Sequence, residues 1–118
     1  MTVLMALSSI ASEQMTATEF CERCVQLLDY VASNSEAAGR YRASDMIMNI
    51  HSDASYLSEP LARSRTCGHF FMGSTPKNGE PIFINGAFYV KTTIMRFVVA
   101  SGAEAELGAL FRNCQDGR

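Results

Sequence analysis

The sequence predicts a mixed α/β fold in which an N-terminal helix precedes antiparallel strands and a covering helix. Apolar residues recur at three- and four-residue spacing between residues 21 and 32, as on one face of a helix. Several short apolar runs bounded by turn residues follow between residues 46 and 100. Helical spacing returns between residues 103 and 114. Strands followed by a helix are typical of an antiparallel sheet that is covered by helices.

Composition limits the class of protein. The chain has 118 residues, of which 47% are hydrophobic and 19% charged, as expected for one globular domain with a modest core. Its net charge of −2 gives no overall basic field that would attract nucleic acid. No apolar run is long enough to cross a bilayer, and no Lys or Arg precedes the apolar start. We expect a cytoplasmic or nuclear protein that is not secreted and has no membrane partner.

The first helix has recognisable start and end signals. Thr16 or Thr18 can cap it, with Glu19 and Glu22 near the positive end of its dipole. The sequence from Ser33 to Ser35 ends it. One apolar stripe is expected to face a core, and it consists of Cys21, Cys24, Val25, Leu28, Val31 and Ala32. We assign residues 1–42 to a helical segment and residues 43–118 to a second domain.

Cys21 and Cys24 form a C-x-x-C pair, which occurs in zinc sites and redox motifs. The sequence has no second pair, and both thiols lie on the apolar stripe. Core packing is therefore the favoured interpretation, and buried free thiols in a reducing compartment are expected for the four cysteines.

The middle of the chain predicts strands. Residues 41–53 read as a buried strand, 57–64 as a polar loop and 66–72 as a second strand. Asn85-Gly86 is typical of a tight hairpin, here between residues 82–84 and 87–90. Residues 92–100 form another apolar run.

The last helix is predicted over residues 104–111. Five residues are expected to share its core face: Ala103, Leu107, Leu110, Phe111 and Cys114.

Two carboxylates are the candidate site. Asp53 ends a strand that we expect to be central, where the sheet would fix its position for a metal ion or a proton, although Asp also opens turns. Glu104 and Glu106 point to different sides of the last helix. Since Glu106 adjoins the predicted core face, we expect Glu106 to meet Asp53 and Glu104 to be solvated.

Three blocks lie in order along the chain: Ser52-Asp53-Ala54-Ser55-Tyr56, the segment from Arg65 to Phe71, and the segment from Ser101 to Leu110. They resemble the RNase H region of copia-type retrotransposon polyproteins, where the blocks read Ser-Asp-Ala-Asp-Trp, Arg-Ser-Thr-Ser-Gly and Ser-Ser-Thr-Glu-Ala-Glu-Tyr. The helix before them is similar to the last helix that links the reverse transcriptase to that domain. The likeness covers most of residues 14–118.

The resemblance implies an RNase H-like partial fold and cleavage of the RNA strand of an RNA–DNA hybrid. It implies that Asp53 and Glu106 are catalytic residues that bind Mg²⁺. Arg63 and Arg65 are the candidate contacts to a nucleic-acid backbone, although arginines in loops are usually a solvated surface.

The chain also departs from that family, which has a further Asp on the strand after the Glu helix and usually another near the C-terminus. Here Asp116 follows Glu106 by ten residues, in a predicted tail. We therefore expect a truncated fragment with little or no activity alone.

The alternative is a non-catalytic interaction module that pairs through an open sheet edge, as a homo-oligomer or with the remainder of a polyprotein. A Cys/His metal-binding protein is a third hypothesis, although His51 and His69 beside strands are more often structural.

Overall fold

The computed structural model describes residues 2–12 and 16–118. The chain divides into two compact units, residues 1–38 and residues 39–118. The described residues form three α-helices and a three-stranded antiparallel sheet, which confirms the predicted mixed α/β class.

The first unit contains α1 (Thr2–Ser12) and α2 (Ala17–Ser33). Thr16 is the N-cap of α2: its hydroxyl accepts from the Glu19 backbone N–H, and the Glu19 carboxylate accepts from the Thr16 backbone N–H at 3.1 Å. This reciprocal capping satisfies two N–H groups that the first turn cannot pair. The cap and the end of α2 at Ser33 confirm the sequence-based prediction.

The apolar stripe of α2 does not form a core. No α2 residue is buried; Cys21 is exposed and Cys24 is half-buried. The prediction that both thiols pack in a core is therefore wrong. Of the four cysteines only Cys67 is buried, because it lies on the central strand of the sheet.

The second unit is built on β1 (Ile47–Glu59), β2 (Arg63–Gly73) and β3 (Ala87–Ile94), in the spatial order β1-β2-β3. Asp53 of β1 is paired with Cys67 of β2, and Cys67 is paired with Thr92 of β3. β2 is the central strand, so the prediction that Asp53 lies on a central strand is wrong. It lies on an edge strand of this sheet.

Two predicted loops and turns differ from the structure. β1 runs on through Glu59, and a short 3-10 turn at Pro60–Ala62 connects it directly to β2, where a longer loop was predicted. Residues 82–86 are not a hairpin. The Asn85 side chain instead accepts from the Arg42 N–H and donates to the carbonyls of Arg42 and Met72. These bonds fasten the segment before β1 to the end of β2.

The helix α3 (Gly102–Asp116) packs on β1 and β2. Its N-cap is Ser101, whose hydroxyl accepts from the Glu104 backbone N–H at 3.1 Å. The residues that α3 buries are small or polar: Ala105, Ala109 and Asn113. The two alanines form the core with Met95 and Val99, and Ala54 of β1 packs against it.

The predicted core face of α3 is wrong. Leu107, Leu110 and Phe111 are 66%, 48% and 64% exposed, and Cys114 is also exposed. The α3 side chains that contact the strands are small instead. Small side chains let the helix backbone lie close to the sheet, and residues of the sheet fill the space between them. Leu107, Leu110, Phe111 and Cys114 lie at positions i, i+3, i+4 and i+7, and we call them the outer stripe of α3.

Candidate functional site

The two sides of β1 have different neighbours. Ser52 and Ala54 face α3: the Asn113 amide donates to the Ser52 hydroxyl at 2.8 Å, and Ala54 packs against the core below α3. Successive side chains of a strand point to opposite faces, so Asp53 points away from α3. It is exposed there.

The structure does not bring Asp53 and Glu106 together. Glu106 is an exposed residue of α3, and α3 lies on the face of the sheet opposite to the Asp53 side chain. The backbone of the sheet therefore separates the two carboxylates. Glu104 is also exposed, as predicted, and its carboxylate accepts from the Ala100 backbone N–H at 2.6 Å at the start of the helix.

Within residues 2–12 and 16–118, no group of three or more His, Cys, Asp or Glu side chains is positioned to hold a metal ion. The side chains paired in register with Asp53 are those of Cys67 and Thr92, whose Sγ and Oγ1 atoms are 3.4 Å apart. A thiol and a hydroxyl do not supply the several oxygen ligands that Mg²⁺ prefers. The residues around Asp53 thus do not fit a magnesium site.

Arg63 and Arg65 differ in accessibility. Arg63 is exposed at the start of β2. The Arg65 side chain is completely buried, and its Nε donates to Glu59 Oε1 at 2.6 Å. Because a buried guanidinium needs such a partner, Arg65 stabilises the β1–β2 connection and is not placed to contact a phosphate.

The two histidines face each other in the β1–β2 register. His69 Nε2 is 3.1 Å from the Asn85 carbonyl oxygen, and its ring lies 5.5 Å from the Phe71 ring. These contacts are structural, as expected for His69. His51 is exposed on β1.

The sequence indicates Asn85 only as part of a hairpin turn and does not indicate a role for Asn113, although both are buried. Each fastens separate segments: Asn113 Nδ2 donates to the Cys67 carbonyl at 2.9 Å as well as to Ser52. Two sequence signals could have indicated them. Asn85 lies within an apolar run and next to a glycine, and Asn113 lies on the helix face that carries the small residues Ala105 and Ala109.

β1 is the longer of the two edge strands of the sheet. In the described part of the chain no strand pairs with β1 on the side away from β2, and we call this side the free edge of β1. β1 has 13 residues against 8 for β3, the other edge strand. Between residues 47 and 55 it has no Pro, Lys or Arg, the residues that commonly prevent pairing at an edge, and its only charged group is Asp53.

No helix in residues 2–12 or 16–118 is long and apolar enough to cross a bilayer. Comparisons of the chain with protein-family models, curated proteins and solved structures found no match. The likeness to a retrotransposon RNase H region therefore stays a prediction.

Proposed function

We propose that this chain is a non-catalytic interaction module that accepts an extended strand of another polypeptide on the free edge of β1. The observation that carries the proposal is the length and regularity of that edge, which pairs with β2 without interruption from Ile47 to Ser55. Alternate residues of an edge strand direct their N–H and C=O groups outward, where an added strand can bond to them.

The side chains of β1 define the partner strand that fits. On the α3 side, Met48 is exposed and Ile50 is half-buried, and Gly117, the C-cap residue that follows α3, lies against both. On the opposite side stand Asn49, His51 and Asp53. The partner strand should therefore alternate between apolar side chains beside α3 and polar side chains on the other face.

The arrangement of the acids also supports a binding role over catalysis. Two-metal hydrolysis needs carboxylates that converge on ions about 4 Å apart. Asp53 and Glu106 lie on opposite sides of the sheet, and the described residues offer no alternative cluster.

A peptide with the sequence of residues 47–55 is a suitable probe, because it has the required alternation. Hydrogen–deuterium exchange of the full chain with this peptide should show new protection at β1 amides, with β3 amides of the same molecule as the internal control. A scrambled peptide should protect neither strand. No protection at β1, or equal protection at β3, would refute the proposal.

A second candidate is RNase H-like hydrolysis of RNA–DNA hybrids with Mg²⁺. The order of elements favours it: antiparallel strands, the first of which carries Asp53, precede a helix that carries Glu106, as the resemblance implies. This activity would require a rearrangement that brings the two carboxylates to one side of the sheet. An NMR titration with Mg²⁺ tests it, because joint shifts of the Asp53 and Glu106 carboxyl signals would support it and unchanged signals would count against it.

A further inference from the structure

The inference that follows rests on the proposed strand-accepting role of β1. We infer that the added strand is β1 of a second copy of this chain, so that two copies form one continuous six-stranded sheet about a two-fold axis. In such a dimer the two β1 strands run antiparallel, and both α3 helices lie on the same face of the sheet. Three features of the second unit support this partner.

The position of α3 suits a helix pair across the axis. α3 contacts β1 and β2 more extensively than β3. It therefore lies nearer to the free edge of β1 than to the opposite edge of the sheet. Neighbouring strands are about 4.8 Å apart, so a helix above the β1–β2 gap is about 5 Å from the two-fold axis. The two α3 helices would then be about 10 Å apart, the spacing of directly packed helices.

The outer stripe of α3 supplies apolar side chains for that contact. Leu110 lies seven residues, or two helical turns, before Gly117, the C-cap residue of α3, whose N–H still donates to the Asn113 carbonyl. Gly117 lies against Ile50 and Met48 of β1. Leu110 is therefore on the β1 side of α3, where the second helix would lie. It is 48% exposed in the single chain. Pairing of the two helices would cover it together with the neighbouring Leu107 and Cys114.

The charges at the two ends of α3 suit an antiparallel pair. Glu106 lies near the start of the helix and Arg118 lies beyond its end, and both are exposed, whereas Arg112 lines the groove on the β3 side. Asp116, the acid at that end, is already paired with Lys91 of β3. Antiparallel packing brings the acidic end of each helix beside the basic end of the other.

The charges of β1 suggest one register. Opposed residues of two paired strands point to the same face of the sheet. The two-fold axis must therefore pass between the two copies of one β1 residue, which lie opposite each other. An axis at Ser52, which lies directly below Asn113, places Asp53 opposite His51 of the second copy, twice by symmetry. A register centred on Asp53 would instead place the two Asp53 carboxylates opposite each other, and like charges at such positions destabilise strand pairing.

The first test is the association state of the full chain by sedimentation velocity across the micromolar range. The native chain is expected to form dimers, and Leu110→Asp to raise the dimer Kd by about 30-fold or more, because it buries a charge in the helix contact. Phe97→Asp is the matched control. Phe97 is similarly exposed, at 54%, but lies in the groove between α3 and Lys91 of β3, away from the axis. A monomeric native chain, or equal effects of both variants, would overturn the inference.

The second test addresses the register. His51→Asp would place two carboxylates opposite each other and should raise the Kd by about 2- to 30-fold, summed over the two symmetric pairs. The double variant His51→Asp/Asp53→His exchanges the two residues and should restore the native Kd. A double variant that is weaker than the single one would overturn the proposed register.

Failure of this inference can be told from failure of the proposed function. The peptide experiment on the Leu110→Asp chain measures strand addition without dimer formation. If the peptide protects β1 amides while the native chain stays monomeric, β1 accepts a strand, but the partner is not a second copy of this chain. The absence of both results would reject both proposals.

Discussion

Asn113→Ala should destabilise the second unit strongly, because this amide joins α3 to two strands. Asn113 is 2% exposed, and its Nδ2 donates to Ser52 Oγ at 2.8 Å and to the Cys67 carbonyl at 2.9 Å. A buried acceptor that loses its donor costs about 1–3 kcal/mol. Because Ser52 is only half-buried and can recruit water, we expect the free energy of unfolding to fall by about 2–4 kcal/mol in total.

Urea unfolding followed by circular dichroism measures this loss. The control is Gln115→Ala on the same helix, which is exposed and should change stability by no more than about 0.5 kcal/mol. An Asn113→Ala chain as stable as the control would show that these hydrogen bonds do not hold α3 on the sheet.

A double-mutant cycle sharpens the same test. A Cβ on Gly68 would lie 2.6 Å from Asn113 Oδ1 and 2.8 Å from the Phe70 ring, so Gly68→Ala alone should destabilise the fold. Asn113→Ala removes the first clash but not the second. The two losses should therefore sum to more than the loss in the double variant, with a coupling of about 0.5–3 kcal/mol. Strict additivity would contradict the described contact.

Glu59→Ala removes one ion-pair partner of the buried Arg65 guanidinium, which also contacts Thr92. It should lower the free energy of unfolding in urea by about 1.5–3 kcal/mol, whereas a solvated Arg65 would show no loss. A Cβ at position 86 would lie 2.7 Å from the Arg40 backbone oxygen, in the segment before β1. Gly86→Ala should therefore lower the melting temperature, and an unchanged value would contradict that contact. Hydrogen bonds from the Thr16 hydroxyl and N–H hold the pKa of Glu19 below its ordinary value. The stability that the Glu19 carboxylate contributes to α2 is therefore fully present above its ordinary pKa and is lost as the pH falls through the lowered pKa. An NMR titration should show that Thr16→Ala raises the Glu19 pKa.

Local signals predicted the elements better than their packing. The cap at Thr16 and the helix near residues 102–116 follow from hydrogen-bonding side chains and spacing within a few residues. The orientation of α3 could not be predicted in this way. The larger apolar residues were assigned to the core, whereas Ala105 and Ala109 pack on the sheet, because close helix–strand contact favours small side chains over large ones.

The candidate site depended on long-range geometry that a single sequence does not contain. Asp53 was correctly expected in a strand, but the face to which it points depends on strand register. A shift of one residue would turn Asp53 towards α3 and Ser52 away from it. The Asn85-Gly86 dipeptide was likewise a valid turn signal, but tertiary bonds from Asn85 to Arg42 and Met72 determined its conformation.

Cleavage of a labelled RNA–DNA hybrid in Mg²⁺ or Mn²⁺ tests the central claim, that this module binds and does not catalyse. The native full chain should be compared with Asp53→Asn and Glu106→Gln, each shown to be folded by circular dichroism. We expect no cleavage above buffer by any of the three, because the sheet separates Asp53 from Glu106. Metal-dependent cleavage by the native chain that both substitutions abolish would contradict the account and establish the two carboxylates as a catalytic pair.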